Sequence, residues 1–165
     1  MSGGALRAPA ARMRRSLAID VFLGAAAGAA ATYLMDLATT AIQERQPKDV
    51  TKREKKVRRG KTAVEKAEEK FGINGQVIHW TLGVSARVIY ATLRHAFPSM
   101  RYGSGLAYGT GFWLAMDETA PTLLGLSPSP REFPWQTHAR GLAGHLVLGG
   151  TIETVFDVAD VVSDH

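Results

Sequence analysis

The feature that most constrains this chain of 165 residues is a glycine-rich apolar run in its last third that also carries ionisable side chains. The run covers 138–162 and follows a stretch, 127–137, whose three prolines exclude a regular helix. Glycines and ionisable groups recur in the run at a spacing of four residues: Gly141, His145, Gly149, Glu153 and Asp157. Because residues four apart share one face of a helix, these positions form a single polar stripe. The pattern predicts that this stripe lies inside a bundle of helices.

Three further segments have the same apolar, glycine-containing character, so the predicted fold is all-α. These segments cover 17–43, 73–94 and 102–126. Apolar residues lie on all faces of the first and third segments, and two Gly-xxx-Gly pairs suit close helix packing in lipid: Gly24 with Gly28, and Gly105 with Gly109. Trp80 and Tyr90 lie toward the two ends of the second segment, as aromatic residues do at membrane interfaces. We predict a polytopic membrane helical bundle of about four transmembrane helices.

The first segment has a second interpretation. Its uncharged run, 21–35, is 15 residues long, whereas a membrane span usually needs roughly 20 mostly apolar positions. Arg12, Arg14 and Arg15 precede the run, and a basic stretch before an apolar run is also typical of a cleaved signal peptide. Asp20 in the first turn, together with the apolar residues that continue beyond the run, favours a helix that stays in the protein.

The mean hydropathy of −0.06 is low for a multi-span protein because the charges are concentrated near the start of the chain. Residues 44–70 hold 11 Lys/Arg and 6 Asp/Glu, and residues 1–16 hold four Arg and no acid. We predict a flexible basic tail over 1–16 and a basic helical loop over 44–72, formed by a basic amphipathic helix outside the membrane. The loop is interpreted either as a solvated helical hairpin or arm, or as a helix that lies on an anionic membrane surface, where anionic lipid head groups are the predicted partner. Nucleic acid is not a predicted partner, because no aromatic residues interleave the charges.

Local signals divide the basic loop. Gly60 interrupts the helical pattern, Thr62 with Glu65 forms a capping box that restarts it, and Gly72 is suited to a C-terminal cap. An apolar residue recurs every seven positions and predicts a narrow apolar stripe on an otherwise solvated helix: Val50, Val57, Val64 and Phe71.

The ionisable residues within the apolar segments form the predicted site. A charged side chain that faces lipid costs at least about 2.5 kcal/mol, so such residues are expected in the bundle interior. The predicted polar interior has five members, with Arg140 as a further partner: Arg87, Asp117, Glu118, His145 and Glu153. In a path for protons or ions, His145 and Glu153 would be the groups that titrate. Structural ion pairs that fix the register of the helices are the alternative.

No catalytic residue, cofactor or metal site is predicted. His138 and His145 share a helix face but lie too far apart along the axis to bind one ion, and the sequence has no His-Glu-x-x-His motif. The chain has no cysteine, which excludes disulfides and thiol chemistry. The chain is accordingly not predicted to be an enzyme, and a membrane enzyme that uses histidines and carboxylates is kept as an alternative.

Three short motifs in the second half of the chain occur in a fixed order before Glu153: Gly125-Leu126-Ser127-Pro128, Phe133-Pro134-Trp135 and Gly144-His145-Leu146-Val147. In this order and spacing they resemble the YagU family of bacterial inner-membrane proteins, over roughly residues 73–160. The resemblance implies a multi-pass inner-membrane protein with four helices, cytoplasmic termini and no established activity. The long basic first loop departs from the family pattern, and the positive-inside rule applied to that loop places the termini outside.

The predicted function is that of an integral protein of the bacterial inner membrane. Its polar interior is expected to handle protons, ions or small solutes, or to support tolerance of envelope stress, and homo-oligomers are included in the prediction. The main alternative is a peripheral helical module that binds anionic surfaces through residues 44–70.

Overall fold

The chain is helical throughout the part described by a computed structural model. The described residues are 17–97, 103 and 105–163. Side chains are described over 27–93 and 105–159 and at 97 and 103. The predicted flexible tail over 1–16 lies outside the described residues.

Seven α-helices form within the described residues: α1 (Leu17–Glu44), α2 (Lys48–Val57), α3 (Ala63–Phe71), α4 (Gly75–Ala96), α5 (Leu106–Trp113), α6 (Ala120–Leu123) and α7 (Trp135–Ser163). A π-helical turn, Leu114–Thr119, joins α5 to α6, and a 3-10 turn, Pro130–Glu132, precedes α7. The all-α prediction is confirmed, and each of the four predicted apolar segments contains a helix. By length and composition, one helical stretch in the described part of the chain could cross a membrane, namely Trp135–Ala159 of α7.

The predicted start of the last helix is wrong by three residues. α7 begins at Trp135, although the prolines were expected to exclude helix through residue 137. Pro134 directly precedes the first turn, where the backbone N–H groups have no intrahelical partner, so proline does no harm there.

The third apolar segment is not one regular helix. Pro121 has no N–H group to continue the α-helical bonding pattern. The chain widens before it into the π-helical turn, in which the Ala120 N–H bonds to the carbonyl of Ala115, five residues earlier. The Thr119 hydroxyl also donates to the Leu114 carbonyl at 2.7 Å. The extra residue in this turn changes which side chains face α7.

Helices α1, α4, α5 and α7 form an up-and-down bundle. α7 packs against α1 and α5, and α1 also packs against α4. The Tyr108 hydroxyl of α5 donates to the Ala86 carbonyl of α4, and this hydrogen bond connects α4 with α5. The core consists mainly of small and aromatic residues: Ala31, Ala86, Tyr90, Tyr108, Leu148 and Ile152.

Glycines bring these helices to backbone contact. A Cβ atom on Gly109 of α5 would collide with the His145 carbonyl of α7, and one on Gly149 would collide with the Gly105 carbonyl. On the other side of the bundle, a Cβ atom on Gly28 of α1 would lie 3.0 Å from the Val84 Cα atom of α4. The predicted close packing at Gly28 and at the Gly105 pair is confirmed, while the surroundings of Gly24 lie outside the described side chains.

The basic loop forms a helical hairpin, α2 and α3, which we call the basic hairpin. The predicted capping box between Thr62 and Glu65 is present, and Gly60 and Gly72 have positive φ angles of 83° and 69°. Along the predicted apolar stripe, Val50 is buried, and Val57 and Val64 are half-buried. Phe71 is exposed because α3 ends there, and the first residue of α4 packs against Val64 instead.

The basic hairpin packs back onto the bundle. α3 contacts α4, and the Lys70 ammonium donates to the Leu124 carbonyl at 2.8 Å. The Arg58 guanidinium carbon lies 5.1 Å from the centre of the Phe133 ring. The hairpin is thus attached to the turn that precedes α7.

Substitution of Gly109 by alanine should destabilise the bundle. The new Cβ atom would meet the His145 carbonyl, and overpacking of this kind typically costs about 1–3 kcal/mol. Gly111 lies two residues away in the same helix with open space around it, so Gly111→Ala is the matched control. The control should be neutral or stabilising by up to about 1 kcal/mol, because glycine is a poor helix former. Thermal unfolding of both variants in detergent tests this, and equal melting temperatures would contradict the packing described.

Candidate functional site

The predicted interior residues lie along α7 in two groups. The first, which we call the Glu153 cluster, contains Arg87, Tyr90, Tyr108, Glu153 and Phe156. The second, the π-turn cluster, contains Asp117, Glu118, His138 and His145. Each cluster includes residues that were not among the predicted site residues.

The Glu153 cluster places a carboxylate among aromatic rings. Glu153 is only 3% exposed, and the hydroxyl of the fully buried Tyr90 donates a hydrogen bond to its Oε2 atom. The Tyr90 ring centre lies 4.7 Å from that of Tyr108 and 5.6 Å from that of Phe156. The Arg87 guanidinium carbon lies 4.3 Å from the centre of the Phe156 ring. A carboxyl group and two phenols are therefore enclosed where α4, α5 and α7 meet, with the half-buried guanidinium of Arg87 beside them.

Tyr90 corrects one prediction of the sequence analysis. It was assigned to a membrane interface because tyrosine has a polar end, but its side chain is completely buried in the bundle core. Its hydroxyl is satisfied there by Glu153, which is the usual condition for burying a tyrosine.

The π-turn cluster directs two successive carboxylates toward α7. Glu118 Oε1 lies 2.7 Å from His138 Nδ1, and Asp117 Oδ2 lies 3.6 Å from His145 Nδ1. Gly141 makes this approach feasible, because a Cβ atom there would lie 2.7 Å from Asp117 Oδ2. The two histidines thus have separate carboxylate partners. Among the described residues, no three histidine, aspartate or glutamate side chains are grouped so as to hold a metal ion.

The contacts of His138 determine where its protons lie. Its Nε2 atom is 3.0 Å from the Pro130 carbonyl oxygen, which accepts hydrogen bonds and cannot donate them, so Nε2 carries a hydrogen. Its Nδ1 atom then either donates to the Glu118 carboxylate or accepts from a protonated Glu118. In both cases one proton is shared between the imidazole and the carboxyl group.

His145 is more deeply placed than Asp117. The histidine is 7% exposed, and its Nδ1 atom donates to the Gly141 carbonyl at 3.0 Å. Its ring centre lies 5.8 Å from that of Phe112. The Asp117 side chain is 41% exposed, so it lies at the edge of the bundle and not in its interior. The pair therefore connects a buried imidazole with the bundle surface.

An ion-pair network at one end of the bundle was not predicted from the sequence. Glu54 of the basic hairpin is 7% exposed, and its Oε1 atom lies 2.7 Å from Arg140 Nη2 and 3.0 Å from Arg58 Nη2. Burial alone would raise the pKa of Glu54, but the hydrogen bonds and positive charges of Arg140 and Arg58 outweigh it and lower the pKa. The available signal was the position of Glu54, four residues after Val50 on the apolar stripe and four before Arg58.

A second missed contact joins α1 to α4. His79 Nε2 lies 3.1 Å from both carboxylate oxygens of Asp36. Both side chains are partly exposed, with 29% for His79 and 43% for Asp36. The pair is at the periphery of the bundle and supports the packing of these two helices.

The motif residues shape the turn before α7. Gly125 has a φ of 70°, and the next N–H group, that of Leu126, bonds to the Pro121 carbonyl at 2.7 Å, as in the usual glycine cap of a helix. The Pro128 carbonyl accepts from the Thr122 hydroxyl at 3.2 Å. Pro134 is buried, whereas Trp135 is 72% exposed.

Gly144 has a different role from the turn residues. It packs against Thr39 and Met35 of α1, where a side chain would not fit. The motifs therefore fix the entry of α7 into the bundle and its contact with α1, and His145 adds a polar group between them.

Replacement of Glu54 by glutamine should destabilise the fold. Arg140 would keep its buried charge without a carboxylate, which costs about 3 kcal/mol in comparable pairs. Glu69→Gln is the matched control, because the Lys61–Glu69 pair is exposed and its loss should cost less than about 1 kcal/mol. Unfolding in detergent, followed by circular dichroism, measures both.

The pH dependence supplies a second readout of the Glu54 network. Since the fold lowers the pKa of Glu54, its contribution is complete above its ordinary pKa of 4.5 and is lost as the pH falls below that value. The wild type should lose more stability in this range than Glu54→Gln. Parallel pH profiles of the two proteins would contradict the network.

The model of a family described as "Protein of unknown function (DUF1440)" matches residues 43–154, more than half of the chain. No curated protein and no solved structure matches the chain. The matched range includes the basic hairpin, which the sequence analysis treated as a departure from the family, and it also includes both clusters on α7 as far as Glu153. The YagU family is this same family, so the resemblance is confirmed. The chain belongs to the DUF1440 family.

Proposed function

We propose that the chain is an integral membrane protein whose interior takes up and releases protons. The first support is the distribution of side chains, which is inverted relative to a soluble bundle. Glu153, His145 and Thr32 are buried with small and aromatic residues, whereas large apolar side chains face outward on the long helices. The outward set includes Leu34, Leu37, Ile42, Val77, Leu82, Val88, Ile89, Leu106, Leu114 and Val158. An apolar exterior of this extent is suited to lipid.

Helix length supports three of the four proposed spans. α1, α4 and α7 have 28, 22 and 29 residues, which correspond to about 42, 33 and 43 Å. The hydrocarbon core of a bilayer is about 30 Å thick, so each helix is long enough to cross it. The path from Leu106 to Leu123 is shorter, about 25 Å, and ends in a polar turn. In this proposal α5, the π-helical turn and α6 together make the fourth crossing.

The basic hairpin supplies the contact with the membrane surface. Lys52, Arg53, Lys55 and Lys56 are exposed on α2, away from the buried Glu54. Each such charge near anionic head groups adds about 1 kcal/mol of attraction. The positive-inside rule places this end of the bundle at the cytoplasmic side of a bacterial inner membrane.

The burial of Glu153 is the observation that best supports the proposed activity. A carboxylate that is 3% exposed inside a lipid-facing bundle is expensive to keep, and such residues typically mark proton or ion pathways. The Tyr90 hydroxyl donates to Glu153 Oε2, and a hydroxyl can also rotate to accept from a protonated carboxyl group. Both protonation states of Glu153 therefore have a partner in the same pocket.

The π-turn cluster would extend this pathway along α7. His138, His145 and Glu153 are seven and eight residues apart, or about 10 and 12 Å along the helix. These separations exceed hydrogen-bond length, so transfer between the groups requires intervening water molecules. The exposed Asp117 and the proton shared by His138 and Glu118 lie nearest the basic end, where protons would enter or leave. The proposed activity forms and breaks no covalent bond other than those to protons.

Membrane insertion is the first part of the proposal to test. The chain should stay in cell membranes during extraction with alkaline carbonate and should be released by detergent. Release by carbonate or by salt would overturn the four-span proposal. It would favour the alternative of a peripheral module held by the exposed lysines and arginines of the basic hairpin.

Proton uptake should depend on Glu153. Glutamine has the same shape but does not titrate, so Glu153→Gln should slow proton movement into proteoliposomes about tenfold or more, measured with a pH-sensitive dye. Asp157→Asn is the matched control, since Asp157 lies one turn further along α7 and is exposed. The control should transport at nearly the wild-type rate. A Glu153→Gln protein that inserts and transports normally would contradict the proposal, and one that fails to fold would assign Glu153 a structural role.

A further inference from the structure

We propose that a cleft between the basic hairpin and the turn before α7 binds a phosphate group. The cleft has a volume of about 270 Å³. Arg59 and Lys66 line it on the side of the hairpin, and Gly125, Ser127 and Pro128 line it on the side of the turn. Pockets for drug-sized ligands usually measure about 300–1,000 Å³, so this cleft suits a small group such as a phosphate.

The polar groups of the cleft are available to a ligand. Within the described part of the chain, neither Arg59 nor Lys66 forms an ion pair, and the Ser127 hydroxyl forms no hydrogen bond. Three other cations of the hairpin are engaged: Arg58 binds Glu54, Lys61 binds Glu69, and Lys70 binds the Leu124 carbonyl. The cleft thus combines two available cations with one available hydroxyl donor.

One carboxylate also lines the cleft. Glu132 is part of the 3-10 turn, and its Oε1 atom accepts from the Ser129 N–H group at 3.0 Å. Its charge is therefore partly satisfied by the turn. Two positive side chains against one engaged carboxylate leave the cleft electropositive, which favours an anion.

The backbone of Arg59 supports a role beyond ending a helix. Arg59 has a φ of 55°, a left-handed conformation, and it is the only such non-glycine residue in the described part of the chain. It follows the C-cap of α2, a position where glycine is usual because a side chain is strained there. Glycine would serve the helix end better, so the arginine is explained by what its side chain does in the cleft.

The chemistry of the lining fits a phosphate in particular. A guanidinium group binds two phosphate oxygens at once, a lysine ammonium adds a compact positive charge, and a serine hydroxyl donates to a third oxygen. A phospholipid head group and free phosphate share this chemistry. The proposal holds for either source and does not depend on proton uptake by Glu153.

The test compares a cleft variant with a control of the same charge. Arg59→Gly with Lys66→Gln removes two charges from the cleft, whereas Lys52→Gln with Lys56→Gln removes two exposed charges from the outer face of α2. Each full-length protein is titrated in detergent with inorganic phosphate and with a short-chain phosphatidylglycerol, by calorimetry. The cleft variant should bind about tenfold more weakly, and the control less than about twofold more weakly.

Ser127→Ala provides a variant without any change of charge. It should weaken binding about threefold, and it tests the cleft even if the double variant folds poorly.

Arg59→Gly alone should raise the melting temperature, since glycine is suited to the left-handed position.

The pattern of binding identifies the source of the phosphate. Binding of both probes, with the expected effects of the variants, supports a site for free phosphate, and binding of the lipid alone supports a head-group site. Three results would overturn the proposal: no binding of either probe, equal losses in the cleft variant and the control, or wild-type binding by Ser127→Ala.

Discussion

The rest of the structure depends on the contact of α7 with its neighbours at glycine residues. Gly149 and Gly109 bring α7 and α5 to backbone contact, and Gly144 brings α7 close to α1. The same face of α7 carries His145 and Glu153, so the approach of the helices encloses both groups. Larger residues at the glycine positions would separate the helices, and the ionisable groups would lose their partners on α4 and α5.

Local patterns of the sequence predicted the parts of the structure that depend on short-range geometry. The spacing of four residues from Gly141 to Glu153 follows from the period of the helix alone, and it placed glycines and ionisable groups on one face of α7. The capping box of Thr62 with Glu65 is equally local, because both of its hydrogen bonds lie within four residues.

Features that depend on distant partners could not be predicted in the same way. Glu54 lies in a segment rich in charge, where a carboxylate is normally solvated, and its burial depends on Arg140, which is 86 residues away, as well as on the nearby Arg58. Tyr90 was placed at an interface because of its polar end, and the buried partner of its hydroxyl, Glu153, is 63 residues further along the chain. The π-helical turn follows from Pro121, but the sequence alone did not show whether the helix would kink, stop or widen.

The glycines and the ionisable groups of α7 have complementary structural effects. Glycine and a polar residue alternate every four positions from Gly141 to Glu153, so a slide of α7 by eight residues could restore the backbone contact with α5, with Gly141 in the place of Gly149. It would not restore the polar ones, because His138 pairs with Glu118 and Glu153 with Tyr90, and these partners differ in length and charge. Close packing therefore sets the distance between the helices, and the polar pairs set their register.

The Glu153–Tyr90 pair can persist in either protonation state of the carboxyl group. A hydroxyl such as that of Tyr90 both donates and accepts hydrogen bonds, so it can remain the partner of Glu153 in each state. The structural and the proton-handling interpretations of Glu153 thus require the same hydrogen bond, and they are compatible in one residue.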